Sequence, residues 1–273
     1  MKAGSRTGTA AAIVGALALS VFSAPTAQAA DTGITVSSVV INGGRPVVVG
    51  TSDEKTPHVT YRVSLPSGYS ADNPYAWQAG PFLFHDTTAG QGASSGGLYM
   101  GSYGCYAESY RVARCEGELR IDPRYDLDSN GDATTWKVGM GASLLTSSGD
   151  LKAEEYATLS GGVQVKRWAS ATVNASPEPV AKGKTLTVTG SLKRADWVKH
   201  AYTGYGNQSV KLQFRKKGTS VYSTVKTVTA GSTGALKTTV TVTASADGYW
   251  RWTFGGTSTT GPATTSGDYV DVV

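Results

Sequence analysis

The sequence predicts an all-β protein, and three observations lead to that prediction. Apolar and polar residues alternate with a period of two in many short runs, which is typical of half-buried strands. Glycine is frequent, at 34 of 273 residues, and together with serine it interrupts these runs. No stretch of the mature chain carries a convincing amphipathic helix pattern, and the short segment 151–159 is the only candidate. The sequence therefore speaks against helical bundles and coiled coils.

The clearest alternation lies in the second half of the chain. Its predicted strands, with a further one near 171–174, are 185–189, 210–215, 221–228, 236–242, 250–254 and 269–273. About seven short strands with turn residues between them match an immunoglobulin-like (Ig-like) β-sandwich. The alternation around residue 252 makes Trp250, Trp252 and Phe254 candidates for the core of this sandwich.

The first half is less regular but also predicts strands. They are 34–41, 46–49, 59–65, 118–121, 135–138 and 163–168. The stretch 89–104 is rich in glycine and serine, so we expect a long loop there. The fold prediction is thus two tandem Ig-like antiparallel β-sandwich domains, all-β throughout.

Charge separates the same two halves. Residues 31–168 hold 11 basic and 15 acidic residues, whereas residues 169–273 hold 12 basic and 5 acidic ones. The composition shifts near the proline-containing stretch 174–183. We therefore predict an acidic first domain at 31–168 and a basic second domain at 169–273. A basic module outside a cell can be drawn to anionic polymers by long-range attraction; the alternative is a domain that happens to be basic and only faces solvent.

The first 30 residues predict a cleaved signal peptide. Lys2 and Arg6 precede an apolar run from Ala10 to Phe22, and the small-residue pattern at 27–29 places cleavage after Ala29 or Ala30. The run is too short to span a membrane, which needs about 20 apolar residues. We expect a secreted, extracellular protein without membrane insertion.

The two cysteines fit an exported chain. Cys105 and Cys115 are the only cysteines in the sequence. Their spacing lacks the C-x-x-C pattern of a metal or redox pair, and no histidine is close to them in the sequence. We therefore expect one disulfide bond between them.

Several segments resemble a known family. Residues 176–190, 210–215, 247–252 and 266–271 resemble the C-terminal Ig-like module of secreted actinomycete (Streptomyces-type) proteins, and residues 39–50 resemble the N-terminal module of the same proteins. The resemblance implies tandem Ig-like modules and export. Its motifs are structural and carry no catalytic residues. Members of the family are mostly of uncharacterised function, and some are called calcium-binding.

The loop at 126–132 is the candidate metal site. Asp126, Asp128, Asn130 and Asp132 place oxygen-bearing side chains at alternate positions, and Gly131 permits a sharp turn, as in the first half of an EF-hand. The position of the bidentate glutamate is Lys137, and the flanking segments predict strands, so this is not an EF-hand. Two interpretations stay open. One is a calcium-binding strand–loop–strand turn, in which calcium is the cofactor; the other is a plain turn, which Asn-Gly favours.

Catalysis is a remote third hypothesis. The sequence has three histidines but neither a G-x-S-x-G nor an H-E-x-x-H motif. His85 and Asp86 are adjacent, and neighbours on a strand point to opposite faces, so we do not expect them to pair. Glu116 and Glu118 would share one strand face about 7 Å apart. A secreted hydrolase would need a pocket that joins His85 or this glutamate pair to other groups.

Two sets of residues suggest binding instead. The first is a set of aromatic residues in the first half, whose rings could stack on sugars or simply cap a small core: Tyr75, Trp77, Phe82, Phe84, Tyr99, Tyr103, Tyr106 and Tyr110. The second is a basic row that could contact a polyanion or only face solvent: Lys211, Arg215, Lys216 and Lys217.

The favoured function is an exported, non-catalytic binding or structural module. Its expected partner is an anionic cell-wall polymer, a glycan or a protein, and not nucleic acid. The alternative is a calcium-binding or calcium-stabilised secreted protein that uses the loop 126–132.

Overall fold

The computed structural model describes residues 31–242 and 247–273, so the predicted signal peptide at 1–30 lies outside the described residues. The described chain is nearly all β, with one short helix, α1 (Ala89–Ser94), and two single 3-10 turns. The all-β prediction is confirmed. None of the described helices is long and apolar enough to cross a membrane.

The first module consists of two packed sheets. Its strands are β1 (Thr35–Ile41), β2 (Val47–Val49), β3 (His58–Ser64), β4 (Trp77–Phe84), β5 (Met100–Ser109), β6 (Val112–Leu119), β7 (Thr135–Leu145) and β8 (Leu151–Arg167). One sheet has the order β1-β3-β6-β5 and the other has the order β2-β8-β7-β4. All neighbours are antiparallel except β2, which runs parallel to β8.

Alternation along these strands fills the space between the two sheets. Val59, Tyr61 and Val63 of β3 are buried in one core with Trp136 and Val138 of β7. The alternating runs 59–65 and 135–138 are therefore strands for the reason that the sequence indicates: every second side chain is removed from water.

Two local expectations in the first module are wrong. The segment 89–104, expected as a long loop, begins with α1 and ends inside β5. Thr88 starts the helix because its hydroxyl accepts a hydrogen bond from the Gln91 amide in a capping box. The segment 151–159, the one helix candidate, is the first part of β8, where pairing with β7 overrides its weak helical pattern.

The predicted disulfide is confirmed. Cys105 of β5 and Cys115 of β6 lie directly opposite each other in the antiparallel pair, with their Cα atoms 4.1 Å apart. The bond ties β5, an edge strand whose side chains are almost all exposed, to the buried face of β6.

The second module is also a pair of sheets. Its strands are β9 (Ala169–Ser176), β10 (Thr185–Asp196), β11 (Ala201–Gly204), β12 (Ser209–Lys216), β13 (Ser223–Thr229), β14 (Ala235–Thr241), β15 (Gly248–Phe254), β16 (Ala263–Thr264) and β17 (Asp268–Val270). Strand β10 pairs with β9, β11 and β14 in one sheet. The other sheet has the order β13-β12-β15, with β16 and β17 both paired to β15.

The core of the second module confirms its predicted aromatic members. Trp250, Trp252 and Phe254 are buried between the sheets beside Leu186 and Leu212. The indole nitrogen of Trp252 donates to the carbonyl oxygen of Thr189 at 3.0 Å, so its one polar atom is satisfied inside the core.

Two side chains of the second module, Ala195 and Trp197, belong to the core of the first. Trp197, in the turn between β10 and β11, is fully buried and packs with the first module's apolar residues. Its indole nitrogen donates to the carbonyl oxygen of Gly50 at 2.8 Å. Because this residue crosses the predicted boundary at 168/169, the domain ranges stay a prediction.

Candidate functional site

In the loop predicted to bind calcium, most of the side-chain oxygen atoms of the candidate ligands accept hydrogen bonds from the protein itself. Asp126 accepts a hydrogen bond from the backbone amide of Asp122 at 2.6 Å. Asp132 accepts from the amide and the hydroxyl of Ser129, at 2.8 and 2.9 Å. Asp128 is exposed and has no hydrogen-bond partner within residues 31–242 and 247–273. These contacts form a capped turn, which is the simpler of the two interpretations of the loop.

The remaining candidate ligand of the loop, Asn130, turns toward the second module. Its amide nitrogen donates to Asp196 at 3.0 Å, and its amide oxygen accepts from the backbone amide of Trp197 at 3.0 Å. The hydrogen bond from Asn130 is the main reason that the pKa of Asp196 lies below its usual value. In the described part of the chain, no group of three His, Cys, Asp or Glu side chains is placed to hold a metal. The calcium assignment stays a prediction.

A second set of contacts joins the modules near the end of β8. Arg167 is buried, and its Nε donates to the carbonyl oxygen of Ala195. Burial, followed by the charge of Arg194, lowers the pKa of Arg167 to about 10. Lys166 donates to the carbonyl oxygen of Thr257 at 2.7 Å. Together with Trp197, these contacts form a joint in which buried polar groups are matched across the modules.

His85 lies in a cleft and, against expectation, pairs with Asp86. Strand β4 ends at Phe84, and Asp86 adopts a left-handed backbone with φ of 56°. The alternation of faces therefore no longer applies, and Nδ1 of His85 lies 2.6 Å from the carboxylate of Asp86. The other ring nitrogen lies 3.6 Å from the carboxylate of Asp132. The ring meets Trp136 edge-on, at 4.2 Å between centroids.

The cleft beside His85 has a volume of about 540 Å³ and is lined by Ser94, Ser95, Asp126 and Asp128 among others. It brings a histidine, carboxylates and hydroxyls together, which the sequence spacing did not predict. The hydroxyl of Ser94, however, donates to the carbonyl oxygen of Gly90. Within the described residues, no hydroxyl makes a hydrogen bond to His85, so the usual contact between nucleophile and base is missing.

The glutamate pair does not form a comparable site. Glu116 and Glu118 lie on the outer, exposed face of β6, while Cys115 and Leu119 on the other face are buried. The two glutamates share one face of β6, as strand alternation predicts. Both side chains project from this face toward solvent.

A groove on the first module collects part of the aromatic set. It has a volume of about 310 Å³, and its lining includes Phe82, Tyr99, Tyr103 and Tyr156 together with polar Gln78, Ser143 and Glu154. The groove is lined by residues of β4, β7 and β8 on one side and by Tyr99, Met100 and Tyr103 on the other. Tyr99 and Tyr103 keep 43% and 48% of their surface exposed, so both rings are accessible.

Two glycines of β7 make room for the aromatic residues of this groove. A Cβ on Gly139 would come within 2.5 Å of the Phe82 ring, and a Cβ on Gly141 within 3.2 Å of the Tyr156 ring. The rings therefore rest directly on the sheet. Phe82 stacks with Tyr99 at 6.0 Å and meets Tyr156 edge-on at 6.4 Å. Partial burial is the main reason that the pKa values of Tyr99 and Tyr156 are raised.

The remaining predicted aromatic residues have other places. Trp77 and Phe84 are buried, whereas Tyr75, Tyr106 and Tyr110 are exposed and lie outside the groove lining. Tyr106 projects from the opposite face of β5 to Tyr103. Successive side chains of a strand alternate between its faces, and the two positions differ by three.

The predicted basic row is on the outer face of β12. Lys211 and Arg215 project outward, opposite the buried Val210 and Leu212. Lys216 is exposed at the end of the strand. Lys217 differs from the others, because its ammonium group lies 3.3 Å from the carboxylate of Asp247 and 3.0 Å from the hydroxyl of Tyr269.

Sequence analysis missed three members of that face. Arg251 and Tyr249 come from β15, and Tyr222 precedes β13. The guanidinium of Arg215 lies over the Tyr249 ring at 4.1 Å, and that of Arg251 over the Tyr222 ring at 3.6 Å. Alternation in 249–254 predicts that Tyr249 and Arg251 share the outer face, but only strand pairing places them beside β12.

No protein-family model matches the sequence, and neither does any curated protein. Among solved structures, the chain is similar to the ectodomain of mouse nectin-like molecule 4, with 14% identity, 86% of this chain and 63% of that chain covered, and a TM-score of 0.25. It is also similar to the Escherichia coli adhesin FdeC, with 14% identity, 90% and 65% covered, and a TM-score of 0.31. A third similar structure is the titin I-band fragment I67–I69, with 9% identity, 88% and 65% covered, and a TM-score of 0.36. The chain thus spans less than two thirds of the length of each of these structures. Similarity at this level says nothing about its ligand.

Proposed function

We propose that this protein is an exported, non-catalytic binding protein whose first module holds a carbohydrate chain in the aromatic groove. The observation that carries the proposal is the pair of half-exposed rings, Tyr99 and Tyr103, beside the polar side chains of Gln78, Ser143 and Glu154 in one open groove. Ligand sites typically combine apolar and aromatic lining with a few well-placed polar groups.

Sugars fit this combination for a chemical reason. One face of a pyranose ring carries mainly C–H groups, which pack on an aromatic face, and its edge carries hydroxyls. The carboxylate of Glu154 accepts hydrogen bonds, whereas the amide of Gln78 and the hydroxyl of Ser143 both donate and accept them. The groove is open to solvent rather than closed.

The groove is largely preformed, which favours binding. The Tyr99 hydroxyl donates to the carbonyl oxygen of Gly92 at 2.6 Å, and the ring is held against Phe82. Tyr103 lies two residues from Cys105, whose disulfide fixes β5 to β6. Side chains that are ordered before binding lose less conformational entropy when the ligand arrives.

Export is part of the proposal. The N-terminal pattern predicts a cleaved signal peptide, and a structural disulfide is typical of proteins that leave the reducing cytosol. Both features fit a module that binds carbohydrate outside a cell.

The test is affinity electrophoresis of residues 31–273 through gels that contain soluble xylan, mixed-linkage β-glucan or glycol chitin. We expect at least one of these neutral polymers to retard the protein. Tyr103→Ala should weaken that binding by about tenfold or more, because a stacking ring and its burial on binding are lost.

Tyr106→Ala is the matched control, since it removes the same ring from the opposite face of the same strand. It should leave retardation unchanged. Equal losses in both variants, or retardation of the wild type by none of the polymers, would overturn the proposal. Thermal unfolding of the two variants, measured in parallel, separates a lost contact from a lost fold.

The cleft beside His85 favours a second candidate function, hydrolysis. The close approach of His85 to Asp86 and the neighbouring hydroxyls are the observations that support it. Its test is the release of nitrophenol from nitrophenyl acetate and nitrophenyl glycosides by the wild type and by His85→Ala. Turnover that disappears in the variant would establish this function, and equal rates in both proteins would exclude a role for His85.

A further inference from the structure

We propose that the outer face of the sheet β13-β12-β15 binds a polymer with a phosphodiester in each repeat. The face is defined by Lys211, Arg215, Tyr222, Tyr249 and Arg251. It lies on the second module, so it is independent of the carbohydrate groove.

Strand pairing assembles this face from residues far apart in the sequence. Gln213 of β12 lies opposite Arg251 of β15, and Arg215 lies opposite Tyr249. The two arginines are therefore diagonal neighbours on adjacent strands. Lys211 continues the row on β12, opposite Thr253.

The tyrosine rings hold the two guanidinium groups in place. The Tyr222 ring contacts both of them, with Arg251 at 3.6 Å and Arg215 at 5.3 Å from its centroid. Arg215 also lies 4.1 Å from the centre of the Tyr249 ring. Stacking of this kind is favourable and limits the motion of the long side chains. The arginines are thus ordered before any ligand binds.

Hydrogen bonds fix the same groups further. Nε of Arg251 donates to the side-chain oxygen of Gln213 at 2.9 Å. A terminal nitrogen of Arg215 donates to the carbonyl oxygen of Thr219. Each guanidinium has five N–H donors, so both keep donors for a ligand.

Charge is left uncompensated on this face. No carboxylate lies within 4.0 Å of the charged groups of Lys211, Arg215 or Arg251 in the described residues, and the sequence 243–246 is Thr-Ala-Ser-Ala, without acidic residues. Lys217, at the margin, is the exception because it pairs with Asp247. The whole stretch 169–273 holds 12 basic and 5 acidic residues, so the long-range field also attracts anions.

The chemistry favours phosphate. Guanidinium groups present parallel N–H donors that match the oxygens of a phosphate, and a phosphodiester keeps its charge at every physiological pH. The rings of Tyr222 and Tyr249 are occupied by arginines, so the face offers charge rather than ring surfaces. A row of several cations suits a repeating anion, because weak contacts add up along a polymer.

The test is titration of residues 31–273 with poly(glycerol phosphate) in low salt and in high salt. We expect binding in low salt that weakens in high salt, as counterion screening requires. The double variant Arg215→Ala/Arg251→Ala should bind at least about tenfold more weakly, because two charge-assisted contacts are lost.

Two further double variants distinguish the loss of a specific site from a general loss of positive charge and from unfolding. Lys184→Ala/Lys237→Ala removes the same number of charges from exposed positions of the other half of the module, and should change affinity by less than about threefold. Arg215→Lys/Arg251→Lys keeps the charge but loses the planar donors, and should lie between the wild type and the alanine double variant.

Three outcomes would overturn the proposal. They are equal losses in the two alanine double variants, tighter binding of polygalacturonate than of poly(glycerol phosphate), and binding of phosphatidylglycerol vesicles in preference to the soluble polymer. None of these outcomes bears on the proposal that the groove binds carbohydrate, which is tested separately by Tyr103→Ala.

Discussion

The side-chain amide oxygen of Asn130 accepts a hydrogen bond from the backbone amide of Trp197 at 3.0 Å. This contact joins a loop of the first module to a turn of the second. The donor is the backbone of the same tryptophan whose side chain is buried in the first module's core. Modules joined by a short linker usually move relative to each other unless their interface is large and apolar. The fully buried Trp197 indole and the hydrogen bonds of the Asn130 amide make this interface resemble a domain core, so we expect the modules to be held together.

Replacing Asn130 should therefore weaken the joint. Asn130→Ala removes the bonds to Trp197 and Asp196 and leaves a part-buried amide and carboxylate without that partner. We expect a loss of about 1–3 kcal/mol in the free energy of unfolding, measured by urea titration. Asp128→Ala, in the same loop but exposed, should change it by less than about 0.5 kcal/mol. Similar losses in both variants would contradict the role assigned to Asn130.

Calcium should have little effect on stability. Asp126, Asp132 and Asn130 already have partners in the protein, and only Asp128 projects into solvent without one in the described residues. We expect the same Tm in calcium and in chelator, because a cation would have to displace these hydrogen bonds before it could bind and stabilise the folded state. A rise of several degrees with calcium, lost in Asp132→Asn, would instead support the calcium-binding alternative.

The disulfide should matter most for β5. Cross-linking residues ten apart in the sequence contributes roughly 2.5–3 kcal/mol in the chain-entropy model. The double variant Cys105→Ser/Cys115→Ser should therefore unfold at lower urea concentration. Hydrogen exchange should accelerate mainly in Met100–Ser109, because this edge strand buries few side chains. Equal acceleration in the second module would show that the bond stabilises more than its own hairpin.

Acid should weaken the end of the second module. Asp247 accepts hydrogen bonds from the Val272 amide and the Tyr269 hydroxyl, and these, with Lys217, lower its pKa to about 2. A carboxylate with a depressed pKa stabilises the fold above its ordinary pKa near 3.8, and that contribution is lost as the pH falls through about 2. Asp247→Asn should therefore lower Tm at neutral pH, and its difference from the wild type should shrink between about pH 4 and pH 2.

The control for the acid experiment is Asp128→Asn, which removes an exposed carboxylate without a hydrogen-bond partner in residues 31–242 and 247–273. Its Tm should follow the wild type at every pH. A constant difference between Asp247→Asn and the wild type down to pH 2 would show that ionisation of Asp247 contributes nothing.

Much of the fold could be predicted because strand alternation is a local property. Val59–Leu65 and Trp250–Phe254 carry their buried faces in the residue order itself. The segment 89–104 could not be predicted in the same way. Gly92, for example, serves close packing of α1 against β4, since a Cβ there would come within 2.5 Å of the Cβ of Phe84 and 3.0 Å of its ring. The segment 151–159 becomes a strand only because β7 offers it partners.

The candidate sites divide along the same line. The disulfide and the outward face of Lys211 and Arg215 follow from the sequence, because cysteine count and period-two alternation are read directly from neighbouring residues. The sequence alone also identified the aromatic set, but not which members meet. That depends on strand order, which brings Tyr103 of β5 and Tyr156 of β8 to one groove.

What the sequence by itself determined is the all-β class, the disulfide and the buried face of each regular strand, because these depend on local periodicity and on the cysteine pair. The tertiary structure decided which partners the polar side chains of the loop 126–132 have. Asn130 bonds to Trp197 because the turn between β10 and β11 supplies a donor at hydrogen-bond distance. No spacing within 126–132 contains that information, since the partner lies 67 residues away along the chain.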